Sequence, residues 1–254
     1  MVPHLERLIR PIDVRHYHEP FLGGGAIFFS TDHALRSYLS DTNEELINAY
    51  ICVRDHPEEV IEIIQNYQNT AESYYRIRGL APNDDSERAA RFIFLNQTSY
   101  NGLYRVNQQG QYNVPFGDRQ LWQFAPEKIR LASHRLKNTN IRTCDFETNK
   151  YKIQVHDLVF LDPPYTVSHN NNGFIKYNRN LFSLDDQRRL SRFIDYIKRK
   201  DAYYILTNAA HQTIADIFEK GDRRIELQRA SLIGGKQAMR GPVTEYIFTN
   251  IPEE

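Results

Sequence analysis

The chain has 254 residues, 41% of them hydrophobic, and its 32 basic side chains balance its 32 acidic ones. That length suits one or two domains, and no apolar run approaches the ~20 residues needed to cross a bilayer. His4, Glu6, Arg7, Arg10 and Asp13 interrupt the opening stretch, which is unlike a signal peptide, so a soluble cytoplasmic protein is expected.

Cys52 and Cys144 are neither close together nor at a metal-ligand spacing. Buried thiols are therefore expected, with no disulfide and no metal. Zero net charge leaves a nucleic-acid partner open, because a basic face matters more than a basic total. Arg188, Arg189, Arg192, Lys198, Arg199 and Lys200 crowd one segment, and Arg223, Arg224, Arg229, Lys236 and Arg240 another. Solvated helix and loop faces would explain both clusters, and for the first a nucleic-acid face fits equally well. Sixteen Tyr and fourteen Phe offer stacking surfaces, although a core accounts for most of them.

Leu5, Leu8, Ile9 and Ile12 recur at helical spacing, which predicts a first helix. The chain then turns through Tyr17-His18-Glu19-Pro20-Phe21 into the triplet Gly23-Gly24-Gly25, read as a short strand, a glycine loop and a helix. Ser37 to Ser40 predicts a second strand ending in Asp41, with Thr42 or Asn43 capping a helix that carries Leu46, Ile47, Tyr50 and Ile51. A strand that ends in an acid and is followed by a helix marks a βαβ unit.

Between about 54 and 140 the character changes. Helical patterns run from Val60 to Tyr67 and from Arg88 to Asn96, then alternation on both sides of Gln109-Gly110 predicts a hairpin. The α/β pattern resumes with strands at Ile141–Asp145 and Leu158–Leu161, a helix from Leu184 to Arg199, a strand at Tyr203–Thr207, a helix at Thr213–Phe218 and a last strand near Glu245–Thr249. The expected organisation is α/β, with residues 1–53 and 141–254 forming one domain and 54–140 inserted as a helical and hairpin module suited to substrate recognition.

Asp162-Pro163-Pro164-Tyr165 directly follows the apolar run Leu158–Leu161. An acid at the carboxyl end of a buried parallel strand stands where open α/β sheets bind ligands. Two prolines fix φ and remove two donors, so Pro163 presents a bare carbonyl on a rigid chain. Asp162 and that carbonyl can accept both hydrogens of an aromatic amine, leaving the nitrogen lone pair aimed at an electrophile. Tyr165 can stack on a base turned out of a duplex. A strand-ending turn with a capping Asp is the plainer alternative. Taken singly, the glycine triplet suits a close approach to a ligand or a tight turn, Asp41 a ribose or a helix cap, and Asp145-Phe146 an adenine ring.

Five segments, in this order, resemble the Dam-like DNA adenine methylase family. They are Glu19-Pro20-Phe21-Leu22-Gly23-Gly24-Gly25-Ala26, Ser40-Asp41-Thr42-Asn43-Glu44-Glu45-Leu46-Ile47, Asn101-Gly102-Leu103-Tyr104-Arg105-Val106-Asn107, Asn113-Val114-Pro115-Phe116-Gly117 and Asp162-Pro163-Pro164-Tyr165. The resemblance implies a class I S-adenosylmethionine-dependent methyltransferase fold, a Rossmann-like mixed sheet with an inserted target-recognition domain. It implies N6 methylation of a flipped adenine in double-stranded DNA, within a GATC-like site, and a restriction-modification, phage or regulatory setting.

Carried over by position, the resemblance implies cofactor contacts from Phe21, Gly23, Gly25, Asp41, Asp145, Phe146 and Asp162, and a catalytic tetrapeptide of Asp162, Pro163, Pro164 and Tyr165. It implies DNA contacts from Tyr100, Asn101, Leu103, Arg105, Asn107 and Pro115. Arg105 suits a guanine edge, a contact worth ~1–3 kcal/mol of discrimination, or equally a phosphate. Leu206-Thr207-Asn208 and Phe182 to Asp186 also resemble family positions, as scaffolding near the base pocket. Relatives usually open with a tryptophan and an Ala-Gly-Gly-Lys turn ahead of the first helix. Here the sequence starts at that helix and its tryptophan is Trp122. The competing expectation is therefore a cofactor-deficient DNA-binding protein on the same scaffold. Nothing in the sequence sets the oligomeric state.

Overall fold

The computed structural model describes residues 1–31, 36–107, 109–117, 123–166, 182–230 and 242–253. Trp122, Lys236 and Arg240 of the readings above lie outside them. A seven-stranded mixed sheet runs in the order β3-β2-β1-β4-β5-β7-β6. Its strands are β1 (His16–Glu19), β2 (Arg36–Asp41), β3 (Thr139–Thr143), β4 (Leu158–Leu161), β5 (Tyr203–Ala209), β6 (Arg223–Ala230) and β7 (Pro242–Thr249). β1 pairs parallel with β2 and with β4, β4 pairs parallel with β5, and β7 runs antiparallel between β5 and β6.

The chain divides into two compact units, residues 1–41 with 144–254, and residues 42–143. In the first, all four residues of β4 are buried, as expected of a parallel strand covered on both faces. The helix α1 (Val2–Ile9) buries Leu5, Leu8 and Ile9. It stops short of Ile12, where Pro11 has no N–H to continue the ladder. After the glycine loop comes the short helix α2 (Ala26–Ser30).

The helix α8 (Leu184–Arg199) begins in a capping box, with the Ser183 hydroxyl accepting from the Asp186 N–H and the Asp186 carboxylate from the Ser183 N–H. Its Leu190, Phe193, Ile194 and Ile197 join Ile214 and Phe218 of α9 (Gln212–Phe218) and Val159, Leu161, Tyr204 and Leu206 of the sheet in one core. Arg223, Arg224 and Arg229, read from sequence as a basic cluster, form part of β6.

The second unit is helical, with α3 (Glu44–Asp55), α4 (Pro57–Gln65), α5 (Ala71–Arg78), α6 (Asp85–Thr98) and α7 (Pro126–Leu136). Asn43 is the cap of α3, its side chain accepting from the Leu46 N–H at 3.3 Å. The first helix of this unit was expected with the flanking domain, yet it packs within residues 42–143. Asn48 donates to the Asp85 carbonyl at 2.9 Å and Arg88 to Glu45 at 2.6 Å. α5 and α7 have no counterpart in the sequence reading, and each starts where a local signal exists. Thr70 caps α5 by accepting from the Ser73 N–H at 3.2 Å, and Pro126 opens α7. No helix of the described residues is long and apolar enough to cross a membrane.

Candidate active site

In the first unit the parallel registers His18↔Val159 and Leu161↔Leu206 bring the carboxyl ends of β1, β4 and β5 to one edge of the sheet. Asp162 therefore stands beside Thr207, whose hydroxyl donates to Asp162 Oδ1 at 2.6 Å. Thr207 is fully buried while Asp162 is exposed. One carboxylate oxygen is thus fixed from below and the residue still faces outward. Pro163 is buried, and Pro164 and Tyr165 are half-buried. The Tyr165 hydroxyl donates to Glu245 Oε1 at 2.9 Å, and Glu245 is fully buried on β7. Two strands thus orient the two ends of the tetrapeptide independently.

Beneath it lies a polar pair that the sequence reading did not single out. Glu19, the last residue of β1, is 2% exposed and accepts from the Tyr17 hydroxyl at 2.8 Å. Burial is the main cause that pushes its carboxyl from the ordinary 4.5 to about 8, opposed by the Tyr17 hydrogen bond and reinforced by the charge of Asp162. Tyr17, also fully buried, has its phenol pushed well up, first by burial and then by Glu19.

Between 4.5 and about 8 the folded protein keeps a proton on Glu19 that the unfolded chain has released. This contribution to stability is complete below the lower value, falls as pH rises through the window and is gone above it. Glu19→Gln removes the titration. Urea denaturation of the variant and the parent at pH 6 and pH 9 should show the variant gaining relative stability at pH 9, and parallel profiles would rule this out.

Gly23 and Gly25 adopt φ of 45° and 63°, the left-handed region in which glycine carries no steric penalty. A Cβ on Gly23 or Gly24 would meet nothing within 4 Å, so the loop leaves open space for a ligand to approach the backbone. Asp41, at the end of β2, accepts from the Gly23 N–H at 3.0 Å and braces the loop. The ring of Phe21 stacks on Phe146 with centroids 5.3 Å apart. Phe146 is 4% exposed and packs in the core with Phe182 and Phe193. It forms a floor beneath half-buried Phe21, whereas the neighbouring Asp145 is partly open. The acids and the open glycine loop fit a nucleoside-bearing, positively charged donor.

In the second unit the expected DNA-contacting residues share one scaffold. Asn101 and Gly102 both take left-handed φ, 55° and 64°, and turn the chain so that Tyr100 and Asn101 are exposed. The Tyr100 N–H donates to the Pro115 carbonyl at 2.9 Å and the Gly117 N–H to the Thr98 carbonyl at 2.9 Å. A Cβ on Gly117 would lie 2.5 Å from the Ser99 carbonyl oxygen, so this crossing needs glycine. The Tyr112 hydroxyl holds the Leu103 carbonyl at 2.6 Å and the Tyr74 hydroxyl the Val114 carbonyl at 2.8 Å.

The expected hairpin is present as an antiparallel bridge, Val106↔Tyr112, rather than as two regular strands. Arg105 and Pro115 are exposed and Leu103 is half-buried. Arg105 Nε is steered by Asn113 Oδ1 at 2.8 Å. Asn107 spends its side chain inside the turn, accepting from the Gln109 and Gln111 N–H groups and donating to Gln111 Oε1.

A mixed sheet with an antiparallel β7, an acceptor-rich Asp-Pro-Pro-Tyr turn after β4 and an open glycine loop after β1 is the arrangement of an α/β methyltransferase that acts on an amino group. Residues 1–232 match the family model of D12 class N6 adenine-specific DNA methyltransferases, and the chain belongs to that family. It is similar to "Type II methyltransferase M1.LlaDCHI" of Lactococcus lactis subsp. cremoris, at 34% identity over 98% of this chain and 91% of the relative. It is 32% identical to "Type II methyltransferase M.MjaIII" of Methanocaldococcus jannaschii, over 81% of this chain and 77% of that one. It is also 29% identical to "DNA adenine methylase" of Escherichia coli (strain K12), over 77% of this chain and 72% of that one. DNA is accordingly the substrate, and the chemistry is methylation of adenine.

Proposed function

We propose that the protein moves a methyl group from S-adenosylmethionine to the N6 amino group of an adenine turned out of duplex DNA, at Asp162-Pro163-Pro164-Tyr165. What carries the reading is the acceptor site at the end of β4, where Thr207 fixes Asp162 and Glu245 fixes Tyr165. When bound, the cofactor supplies an electrophilic methyl on a positively charged sulfur. Phe21, the backbone at Gly23 and Gly25, Asp41, Asp145 and Phe146 would hold it.

Asp162 accepts one amino hydrogen and the Pro163 carbonyl the other, while Tyr165 stacks on the base. These contacts would orient the lone pair before bond formation, and Asp162 would stabilise the positive charge that builds on nitrogen as it takes up the methyl group. The nitrogen then sheds one proton, passed to Asp162 or directly to water, and is neutral again. A carboxylate suffices for these tasks without being a strong base.

Target choice falls to the second unit. Tyr100, Asn101, Leu103, Arg105 and Pro115 form the reading surface, Asn107 shapes the turn that carries it, and the site read is GATC-like. Arg105→Ala should cost ~1–3 kcal/mol of discrimination at one base pair if the side chain reads a guanine. Competition binding with duplexes altered one position at a time checks this. Uniform weakening across all duplexes, with a smaller salt dependence, would make Arg105 a phosphate contact instead. The function itself is tested by incubating the protein with methyl-labelled cofactor and unmethylated duplex DNA. Label should appear in N6-methyladenine, and label in cytosine or in protein would overturn the reading.

A further inference from the structure

Arg189 projects from the first turns of α8 into the loop that follows β3. Its Nη2 donates to Asp145 Oδ1 at 2.8 Å and to Glu147 Oε2 at 2.9 Å, its Nε to the same Glu147 oxygen at 3.2 Å, and its Nη1 to Asp186 Oδ1 at 3.0 Å. The guanidinium carbon stands 4.7 Å from the centroid of the Phe146 ring. Asp145 Oδ1 also accepts from the Glu147 N–H at 3.0 Å. That oxygen is thus held by two donors, while the Asp145 side chain remains 43% exposed. Among the described residues, no hydrogen bond occupies Oδ2.

A surface ion pair contributes little to stability, typically ~0–1 kcal/mol, and Arg189 is itself 34% exposed. The cluster is nevertheless built for orientation. A planar fork with fixed donor directions reaches three carboxylates and covers an aromatic face, which a lysine ammonium cannot do. Without it, Asp145 and Glu147 would repel each other across the mouth of the loop, and the Phe146 ring would lose its cover.

We propose that Arg189 is a positioning residue for the cofactor. It locks Asp145 with one oxygen turned outward, and keeps Phe146 flat beneath Phe21, in the arrangement that receives the adenine end of S-adenosylmethionine. The inference rests on the reading of Asp145 and Phe146 as cofactor contacts. It adds a residue from α8, more than forty positions along the chain, whose part is to preorganise those contacts rather than to touch the ligand. Preorganisation of this kind sets affinity and leaves the reacting atoms alone.

Calorimetric titration of the full chain with S-adenosylhomocysteine tests the proposal on the parent, Arg189→Gln, Arg189→Lys and Asp145→Asn, alongside melting temperatures and methyl-transfer rates at saturating cofactor. Arg189→Gln should bind about tenfold more weakly, equivalent to ~1.4 kcal/mol. Its melting temperature and its rate at saturation should stay close to those of the parent. Arg189→Lys should recover only part of the affinity, because the charge returns without the fork. If Arg189→Gln binds as tightly as the parent while Asp145→Asn binds weakly, the positioning role is wrong and the cofactor site stands. If Asp145→Asn also binds normally, the cofactor reading of this loop fails and the proposal fails with it. A melting temperature that falls while affinity holds would reduce Arg189 to a structural ion pair.

Discussion

Replacing Asp162 by alanine is expected to lower the rate of methyl transfer at saturating cofactor and DNA by at least ~10²–10³-fold, the loss seen when one preorganised polar group is removed from a developing charge. DNA affinity should change little, because the proposed reading surface, which would supply most of the DNA contacts, lies on the second unit. The local fold should also survive. Asp162 is exposed, and the Thr207 hydroxyl that loses it retains the Leu161 carbonyl at 3.4 Å.

Asp162→Asn separates chemistry from packing. It preserves the shape and an oxygen for Thr207 but offers an N–H where the adenine amino group needs an acceptor, so it should be nearly as inactive as the alanine variant. Full activity in Asp162→Asn would mean that the carboxylate only holds the turn. One side effect is built into the structure. The charge of Asp162 helps push the Glu19 carboxyl up, so both variants should titrate Glu19 lower, visible as a fall of stability with pH that is smaller and ends at a lower pH than in the parent.

The largest expected loss of stability lies at the other end of the same strands. Asp157, fully buried just before β4, accepts from the His16 N–H at 3.1 Å and from His18 Nε2 at 2.9 Å, and pairs with His16 Nδ1 at 3.1 Å. It also accepts from the Gln154 N–H at 2.9 Å. One carboxylate thereby ties the start of β1 to the start of β4 and fixes the parallel register on which the site depends.

Asp157→Ala strands two backbone donors and a buried imidazole, each of which costs ~1–3 kcal/mol when left unpaired. The total expected loss is ~3–5 kcal/mol, the lower part of the sum of three such losses. Urea unfolding followed by circular dichroism measures it. A loss below ~1 kcal/mol would show that other contacts set the register.

Much of the site's position was legible in the sequence, because the signals there are local. The apolar run Leu158–Leu161 announces a strand buried on both faces, so Asp162 falls at its carboxyl end without any knowledge of the sheet. The triplet Gly23-Gly24-Gly25 marks a loop that lets a ligand approach or turns tightly, and Gly23 and Gly25 do take positive φ. The parts that orient these residues were hidden for a physical reason. Glu245 lies 80 residues from Tyr165, Thr207 45 from Asp162 and Arg189 44 from Asp145. Such pairings exist only once the strands have chosen their neighbours.

Glu19 appeared in the motif but not as a group of interest, since its perturbation comes from burial that no local pattern displays. The strand β6 was missed because its arginines read as a solvated cluster. On a strand with one open face, exposed polar side chains alternate with half-buried ones, as Arg224, Glu226 and Gln228 do with Ile225 and Leu227. The inserted module was visible as a change of pattern. Its first helix was assigned to the neighbouring domain, because an amphipathic helix after a βαβ-like strand gives no sign of which partner will cover it.

The central claim is that Asp162 and its turn direct a methyl group to adenine N6 in DNA. Its most direct test is long-read sequencing, with detection of modified bases, of DNA from a host lacking adenine methylation that expresses either the parent or Asp162→Asn. The parent should leave N6-methyladenine at one short recurring sequence, and the variant, at equal folded protein, should leave none. Methylated adenines persisting with the variant, or none with the folded parent, would contradict the account.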